Sequence, residues 1–85
     1  MAPKTVRLFT LSTCSHCKAA KRFLAENGVE HEFIDVDLLS DDRRSAVLEE
    51  VRAYNPRLSY PTIIIGGERV IVGFREQELR EALDL

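Results

Sequence analysis

The chain has 85 residues, of which 45% are hydrophobic and 31% charged, proportions that fit one globular domain over residues 1–85 and leave no room for a second. Twelve Lys and Arg against 14 Asp and Glu give a net charge of −2, without the basic excess that attracts nucleic acid or anionic lipid. No signal-peptide pattern follows Met1, and no apolar run approaches the roughly 18 residues that span a bilayer, so we expect a soluble, cytoplasmic monomer with neither nucleic acid nor membrane as partner.

The first quarter of the chain predicts a strand followed by a helix. Residues 5–11 mix β-branched and large apolar side chains, as in a strand that is covered on both faces. From Ser15 to Asn27 the apolar period changes to that of a helix, and Asn27-Gly28 supplies its C-terminal stop.

The next segment predicts a second strand and a second helix. Residues 32–36 alternate less uniformly, as in a strand at the edge of a sheet. Ser40 is expected to cap the second helix with its side chain. Asn55-Pro56 ends that helix, because a proline ring disfavours α geometry in the residue before it.

The last third predicts a β-hairpin and a final helix. The β-branched run 62–65, the turn Gly66-Gly67 and the run 70–72 are typical of two antiparallel strands. The segment from Arg75 to Leu83 has the apolar spacing of a helix. Because crossover connections are right-handed, the order β-α-β-α-β-β-α predicts an α/β fold with a four-stranded mixed sheet of order 2-1-3-4 and three helices.

Two cysteines, Cys14 and Cys17, lie where the first strand gives way to the first helix. This spacing serves a structural disulfide, half of a metal site, or a redox-active pair of thiols. A permanent disulfide is disfavoured, because the cytosol keeps thiols reduced and the bridge would close a very short loop. A metal site is disfavoured, because only His16 and His31 remain as further ligands, and no metal is predicted. Both alternatives stay open beside the favoured redox chemistry.

Cys14 is the predicted nucleophile. At the start of a helix its sulfur lies near unpaired backbone N–H groups and the positive end of the helix dipole. Further positive charge comes from the first two turns of the helix: Lys18, Lys21 and Arg22. Such surroundings lower thiol pKa values from about 8.5 towards 3.5 to 7.5, and the thiolate is the attacking species.

Cys17, deeper on the same helix, is predicted to resolve the mixed disulfide by intramolecular attack, with His16 able to donate to the departing thiolate.

Three motifs together resemble the glutaredoxins of the thioredoxin-fold superfamily, over nearly the whole chain. They are Cys14-Ser15-His16-Cys17, Ser59-Tyr60-Pro61 and Val72-Gly73-Phe74-Arg75. The resemblance implies a thioredoxin-like fold, an enzyme of electron transport and cell redox homeostasis, and no tightly bound cofactor. It also implies a cis peptide bond before Pro61, which would let Tyr60 present its N–H and C=O to an extended substrate. The expected substrate-binding residues are His16, Lys18, Tyr60, Pro61, Gly73 and Phe74.

Two departures from the family concern glutathione. Leu11 occupies the position where glutathione-binding members commonly carry Lys, and the stretch around Gly73 lacks the preceding glycine and the following acidic residue. Arg57 and Arg75 are the residues expected to hold the carboxylates of glutathione as a co-substrate. The stretch Gly73-Phe74-Arg75 is similar instead to redoxins that pass electrons from thioredoxin reductase to ribonucleotide reductase.

The sequence therefore predicts a dithiol–disulfide oxidoreductase that reduces protein disulfides or glutathione mixed disulfides through Cys14 and Cys17. Glutathione or thioredoxin reductase is the expected electron donor. One alternative is a thioredoxin-reductase-dependent redoxin that donates electrons to ribonucleotide reductase. A second is a module that holds a metal or an iron–sulfur cluster between two chains through Cys14.

Overall fold

The computed structural model describes residues 4–85 of the chain, so Met1, Ala2 and Pro3 of the predicted 1–85 domain lie outside the described residues. Over residues 4–85 the elements are β1 Val6–Thr10, α1 Ser15–Glu26, β2 Glu32–Asp35, α2 Asp41–Tyr54, β3 Thr62–Ile65, β4 Arg69–Val72 and α3 Glu76–Leu83. A short 3₁₀ turn, Val36–Leu38, follows β2 directly and was not predicted. No helix in this part of the chain is long and apolar enough to cross a membrane.

The four strands form one mixed sheet in the order β2-β1-β3-β4. β1 runs parallel to β2 and antiparallel to β3, and β4 runs antiparallel to β3. This arrangement confirms the predicted thioredoxin-like sheet of order 2-1-3-4 with three helices. It also makes β2 an edge strand, as predicted, and leaves Phe33 on it about half exposed.

The sheet has a separate apolar core on each face. The face that carries Leu8 packs against α1 and α3 through Phe23, Leu24, Leu79 and Ala82. The face that carries Phe9 packs against α2 through Val51. Because β1 is buried on both sides, as a central strand should be, the segment that leaves its C-terminal end starts from a rigid base.

Polar side chains stabilise α2 and α3 in different ways, and the predicted cap of α2 is only partly observed. Ser40 occupies the N-cap of α2 as predicted, but its side chain makes no capping hydrogen bond. The acidic Asp41 and Asp42 in the first turn instead complement the positive end of this helix. On α3, Arg80 Nε lies 3.1 Å from Glu76 Oε2, an i, i+4 ion pair at helical spacing.

Candidate active site

Cys14 is the N-cap residue of α1, with extended backbone angles of φ −84° and ψ 119°. Its Sγ accepts a hydrogen bond from the backbone N–H of Cys17 at 3.2 Å, and its own N–H donates to the Leu11 carbonyl at 3.2 Å. The first turn of α1 contains no acidic residue, and the Cys14 side chain is partly exposed. The sulfur thus meets both solvent and the positive end of the helix, as the sequence predicted.

Cys17 is a free thiol like Cys14, but it is entirely buried on the inner face of α1. Burial, followed by the hydrogen bond with Cys14, raises the pKa of Cys17 to about 12. The buried thiol therefore keeps its proton at neutral pH in the reduced protein. The two sulfurs are close together and chemically unequal, which confirms the predicted difference in depth.

The segment before Cys14 is attached to the 3₁₀ turn by a contact that the sequence patterns did not indicate. The Asp37 carboxylate accepts a hydrogen bond from the Ser12 backbone N–H at 2.8 Å and a second from the Ser12 hydroxyl. The side-chain and then the backbone hydrogen bond from Ser12 lower the pKa of Asp37. This contact holds the loop between β1 and α1 against the end of β2.

Tyr60 and Pro61 immediately precede β3, at the end of the sheet where β1 leads towards Cys14. The peptide bond between them is cis, as the family resemblance implied, and Pro61 is buried while Tyr60 is partly exposed. Burial, and then the charge of Cys17, raises the pKa of the Tyr60 phenol. Within residues 4–85, the Tyr60 N–H and C=O make no backbone hydrogen bond, so both groups are available to a bound chain.

Asn55 organises the loop that leads to Tyr60. Its side chain is buried, and its amide nitrogen lies 3.1 Å from each of three acceptors: the Ser59 carbonyl, the Ser59 hydroxyl and the Thr62 hydroxyl. Its amide oxygen accepts from the Arg57 N–H at 3.2 Å. From the sequence, Asn55 was interpreted only as a helix stop; one side chain in fact ties the end of α2 to the start of β3.

The turn between β4 and α3 completes the site. Gly73 has a positive φ of 87°, and its N–H donates to the Pro61 carbonyl at 2.8 Å. Phe74 packs edge-on against Phe23 of α1, with ring centroids 5.8 Å apart. The structure therefore brings Pro61 and Gly73 together, and it places Phe74 in contact with the helix that carries both cysteines.

The remaining predicted site residues are exposed polar side chains: His16, Lys18, Arg57 and Arg75. His16 and Lys18 lie on the first turn of α1. Arg75 Nε donates to the Val72 carbonyl at 3.0 Å and lies 3.7 Å from Glu78 Oε2, so this guanidinium already has contacts. The structure gives Arg57 no ion pair within residues 4–85. In the same range, no three His, Cys, Asp or Glu residues form a group that could hold a metal ion.

Comparison with known proteins places this geometry among redox proteins. The family model described as Glutaredoxin matches residues 6–70, a range that includes both cysteines and Pro61. Methanoredoxin of Methanosarcina acetivorans is 41% identical, with a TM-score of 0.91 over 95% of this chain and 85% of that one. The glutaredoxin of Methanosarcina mazei Go1 is 40% identical, with a TM-score of 0.87 over 100% and 85% of the two chains.

A more distant similarity is to NrdH-redoxin of Escherichia coli, described as a glutaredoxin-like protein with a thioredoxin-like activity profile. It is 28% identical to this chain, with a TM-score of 0.72 over 91% of this chain and 92% of that one. No curated protein matches the chain.

Proposed function

The chain belongs to the glutaredoxin family of thiol–disulfide oxidoreductases, and from that premise we propose that it reduces disulfide substrates through Cys14 as nucleophile and Cys17 as resolving thiol. The observation that carries this proposal is the contact between the Cys14 Sγ and the Cys17 N–H at the start of α1. This contact supports Cys14 as the partly exposed thiol that attacks the substrate, and the buried Cys17 as a thiol near enough to form a disulfide with it.

The reaction proceeds in two exchanges. The Cys14 thiolate attacks one sulfur of the substrate disulfide; that S–S bond breaks, its electron pair leaves with the first substrate thiolate, and Cys14 is left in a mixed disulfide. Cys17 then gives up its proton and attacks the Cys14 sulfur; the S–S bond to the substrate breaks, and the second substrate thiolate leaves and takes up a proton. The protein ends as a Cys14–Cys17 disulfide, two electrons have passed to the substrate, and an external donor must reduce the pair again.

Substrate docking is proposed for the surface around Cys14. The available N–H and C=O of Tyr60 support pairing with an extended segment of a protein substrate, as an added strand would pair. Gly73, bonded to the Pro61 carbonyl, would form the adjacent wall. His16 and Lys18 are exposed next to Cys14 and are assigned to the leaving thiolate. Protein disulfides are therefore the substrates we place first.

Two electron donors fit this site. Glutathione is supported by the exposed Arg57, which can pair with a carboxylate of the tripeptide. Thioredoxin reductase is supported by the apolar Leu11, by the contacts that already engage Arg75, and by the similarity to NrdH-redoxin. Because both donors belong to a reducing compartment, we propose that the protein acts in the cytoplasm, as a monomer.

Parallel assays of NADPH consumption test the proposal. One contains glutathione and glutathione reductase, the other thioredoxin reductase, and each contains the protein and a disulfide substrate. Wild-type protein should turn over in at least one system, and Cys14→Ser should be inactive in both. Cys17→Ser should keep reducing glutathione mixed disulfides if glutathione is the donor, because a second glutathione can release Cys14, and should be inactive with thioredoxin reductase. Activity in Cys14→Ser would contradict the assignment of the nucleophile.

A further inference from the structure

Lys21 lies on the inner face of α1, one helical turn after Cys17. Its Nζ is 2.9 Å from Asp35 Oδ1 at the end of β2, and the two side chains are only 22% and 16% exposed. Lys21 was expected to add charge to the outside of the helix. Instead its ammonium group is turned inwards, between the helix and the edge strand.

The ammonium group of Lys21 is held from two sides. The hydroxyl of the fully buried Thr10, the residue paired with Asp35 across the sheet, donates to Asp35 Oδ1 at 2.6 Å and so fixes the carboxylate. On another side the Lys21 Nζ lies 3.9 Å from the ring centre of Phe33, within cation–π distance. A long, flexible side chain is thereby kept in one position.

The charges that act on Cys17 come from several elements packed around it. Burial and the Cys14 sulfur raise the pKa of the Cys17 thiol, whereas a hydrogen bond with the Leu11 backbone and, more weakly, the charge of Lys21 lower it. Burial and then the charge of Cys17 raise the pKa of the Tyr60 phenol, in the segment before β3. Asp35 also belongs to this group of charges, because its carboxylate pairs with the Lys21 ammonium group.

We propose that the ammonium group of Lys21, held in place by Asp35, stabilises the Cys17 thiolate when Cys17 attacks Cys14 in the mixed disulfide. Lys21 and Asp35 act through Cys17 and are therefore positioning residues for the resolving step. This inference rests on the proposed roles of Cys14 and Cys17.

The resolving step is the one that needs a positive charge near the Cys17 thiolate. Cys17 is fully buried, and an unpaired thiolate in a medium of low polarity is costly, so few molecules carry the reactive form at neutral pH. Cys14, by contrast, is partly exposed and caps α1, so water and backbone N–H groups can reach its sulfur. A fixed positive charge near Cys17 therefore favours the second exchange and leaves the first almost unaffected.

The two exchanges can be followed separately with 5,5′-dithiobis(2-nitrobenzoate) by stopped-flow absorbance. Attack by Cys14 releases one coloured thiolate at a rate that depends on reagent concentration. Resolution by Cys17 then releases a second at a rate that does not. In Lys21→Met we expect the second rate to fall about tenfold at neutral pH, which corresponds to one unit in the pKa of Cys17, and its pH profile to move to higher pH. The first rate should stay within about twofold.

Three variants serve as controls. Lys21→Arg retains the charge and should restore most of the second rate. Arg22→Met removes the neighbouring exposed charge of the same helix and should leave the second rate within about twofold of wild type. Lys21→Gln removes the charge while keeping an amide that can donate to Asp35 Oδ1, and should slow the second rate as Lys21→Met does.

The outcomes separate this inference from the proposed function. If Lys21→Met slows both exchanges equally, or matches Arg22→Met, the inference is wrong although the proposed function stands. If wild-type protein releases no second thiolate, both are wrong. Should Lys21→Met fail to fold, Lys21→Gln decides alone: an unchanged second rate in that variant overturns the proposal.

Discussion

The Cys14 Sγ accepts the backbone N–H of Cys17 at 3.2 Å, while the Cys17 side chain itself is entirely buried. Two thiols separated by two residues therefore differ in exposure and in hydrogen bonding. The difference follows from the position of each along α1: Cys14 caps the helix, and Cys17 is already part of it and faces the sheet.

This asymmetry predicts selective alkylation. Iodoacetamide at neutral pH should modify one cysteine per folded chain, and peptide mass spectrometry should identify it as Cys14. Cys17 should stay unlabelled, because it is sealed from solvent and its pKa is raised to about 12. Denaturant should make both thiols reactive. Equal labelling of Cys14 and Cys17 in the folded chain would contradict the assignment of the attacking thiol.

The second prediction concerns Gly73, whose φ of 87° is unfavourable for residues with a Cβ. An added Cβ would meet no atom within 4 Å, so the cost of Gly73→Ala is conformational, about 1–2 kcal/mol of unfolding free energy. Because the Gly73 N–H binds the Pro61 carbonyl, the variant should also lose kcat/KM for a protein disulfide, by about fivefold or more.

Gly67 is the matched control for that variant. It has a similar φ of 78° and equally open surroundings, but it lies in the hairpin at the opposite end of the sheet. Gly67→Ala should lower the free energy of unfolding, measured in urea, by a similar amount and leave kcat/KM unchanged. A parallel loss of activity in both variants would mean that Gly73 matters for stability alone.

A third prediction concerns Asn55. Asn55→Ala removes hydrogen bonds to Ser59, Thr62 and the Arg57 backbone, and we expect the free energy of unfolding to fall by about 2–3 kcal/mol. kcat/KM for a protein disulfide should fall as well, since this side chain holds the loop that presents Tyr60. The rate of alkylation of Cys14 should not change. Asn27→Ala, at the far end of α1, removes one part-buried hydrogen bond to the Phe23 carbonyl and should preserve activity. Equal losses of activity in both variants would contradict a special role for Asn55.

The elements of this fold were predictable because each has a local pattern. The helix predicted from Ser15 to Asn27 is observed over Ser15–Glu26, and the strand predicted over 62–65 is observed at the same bounds. The position of Cys14 at a helix start follows from such a pattern, since the apolar period changes next to it. The order of the strands follows from the handedness of the crossovers.

The contacts that shape the site were not predictable in this way. The Lys21–Asp35 pair joins residues 14 positions apart, and the Ser12–Asp37 pair joins residues 25 apart. Apolar periodicity indicates which face of an element is buried, but it does not indicate which polar side chains meet where two elements end. The absent capping bond of Ser40 has a related cause, since a capping residue type favours this hydrogen bond without requiring it.

The last prediction uses the Ser12–Asp37 contact and pH. Hydrogen bonds from Ser12 lower the pKa of Asp37 in the folded chain, so the ionised carboxylate stabilises the fold. This contribution is complete above the usual pKa of an unfolded Asp and is lost as pH falls through the lowered value. Urea unfolding of wild type and Asp37→Asn should therefore differ at neutral pH and converge in acid. Glu68→Gln, in the hairpin turn, removes an exposed carboxylate with no hydrogen-bond partner in residues 4–85 and should show no comparable convergence. A wild-type advantage over Asp37→Asn that persists in acid would show that ionisation of Asp37 does not stabilise the loop before Cys14.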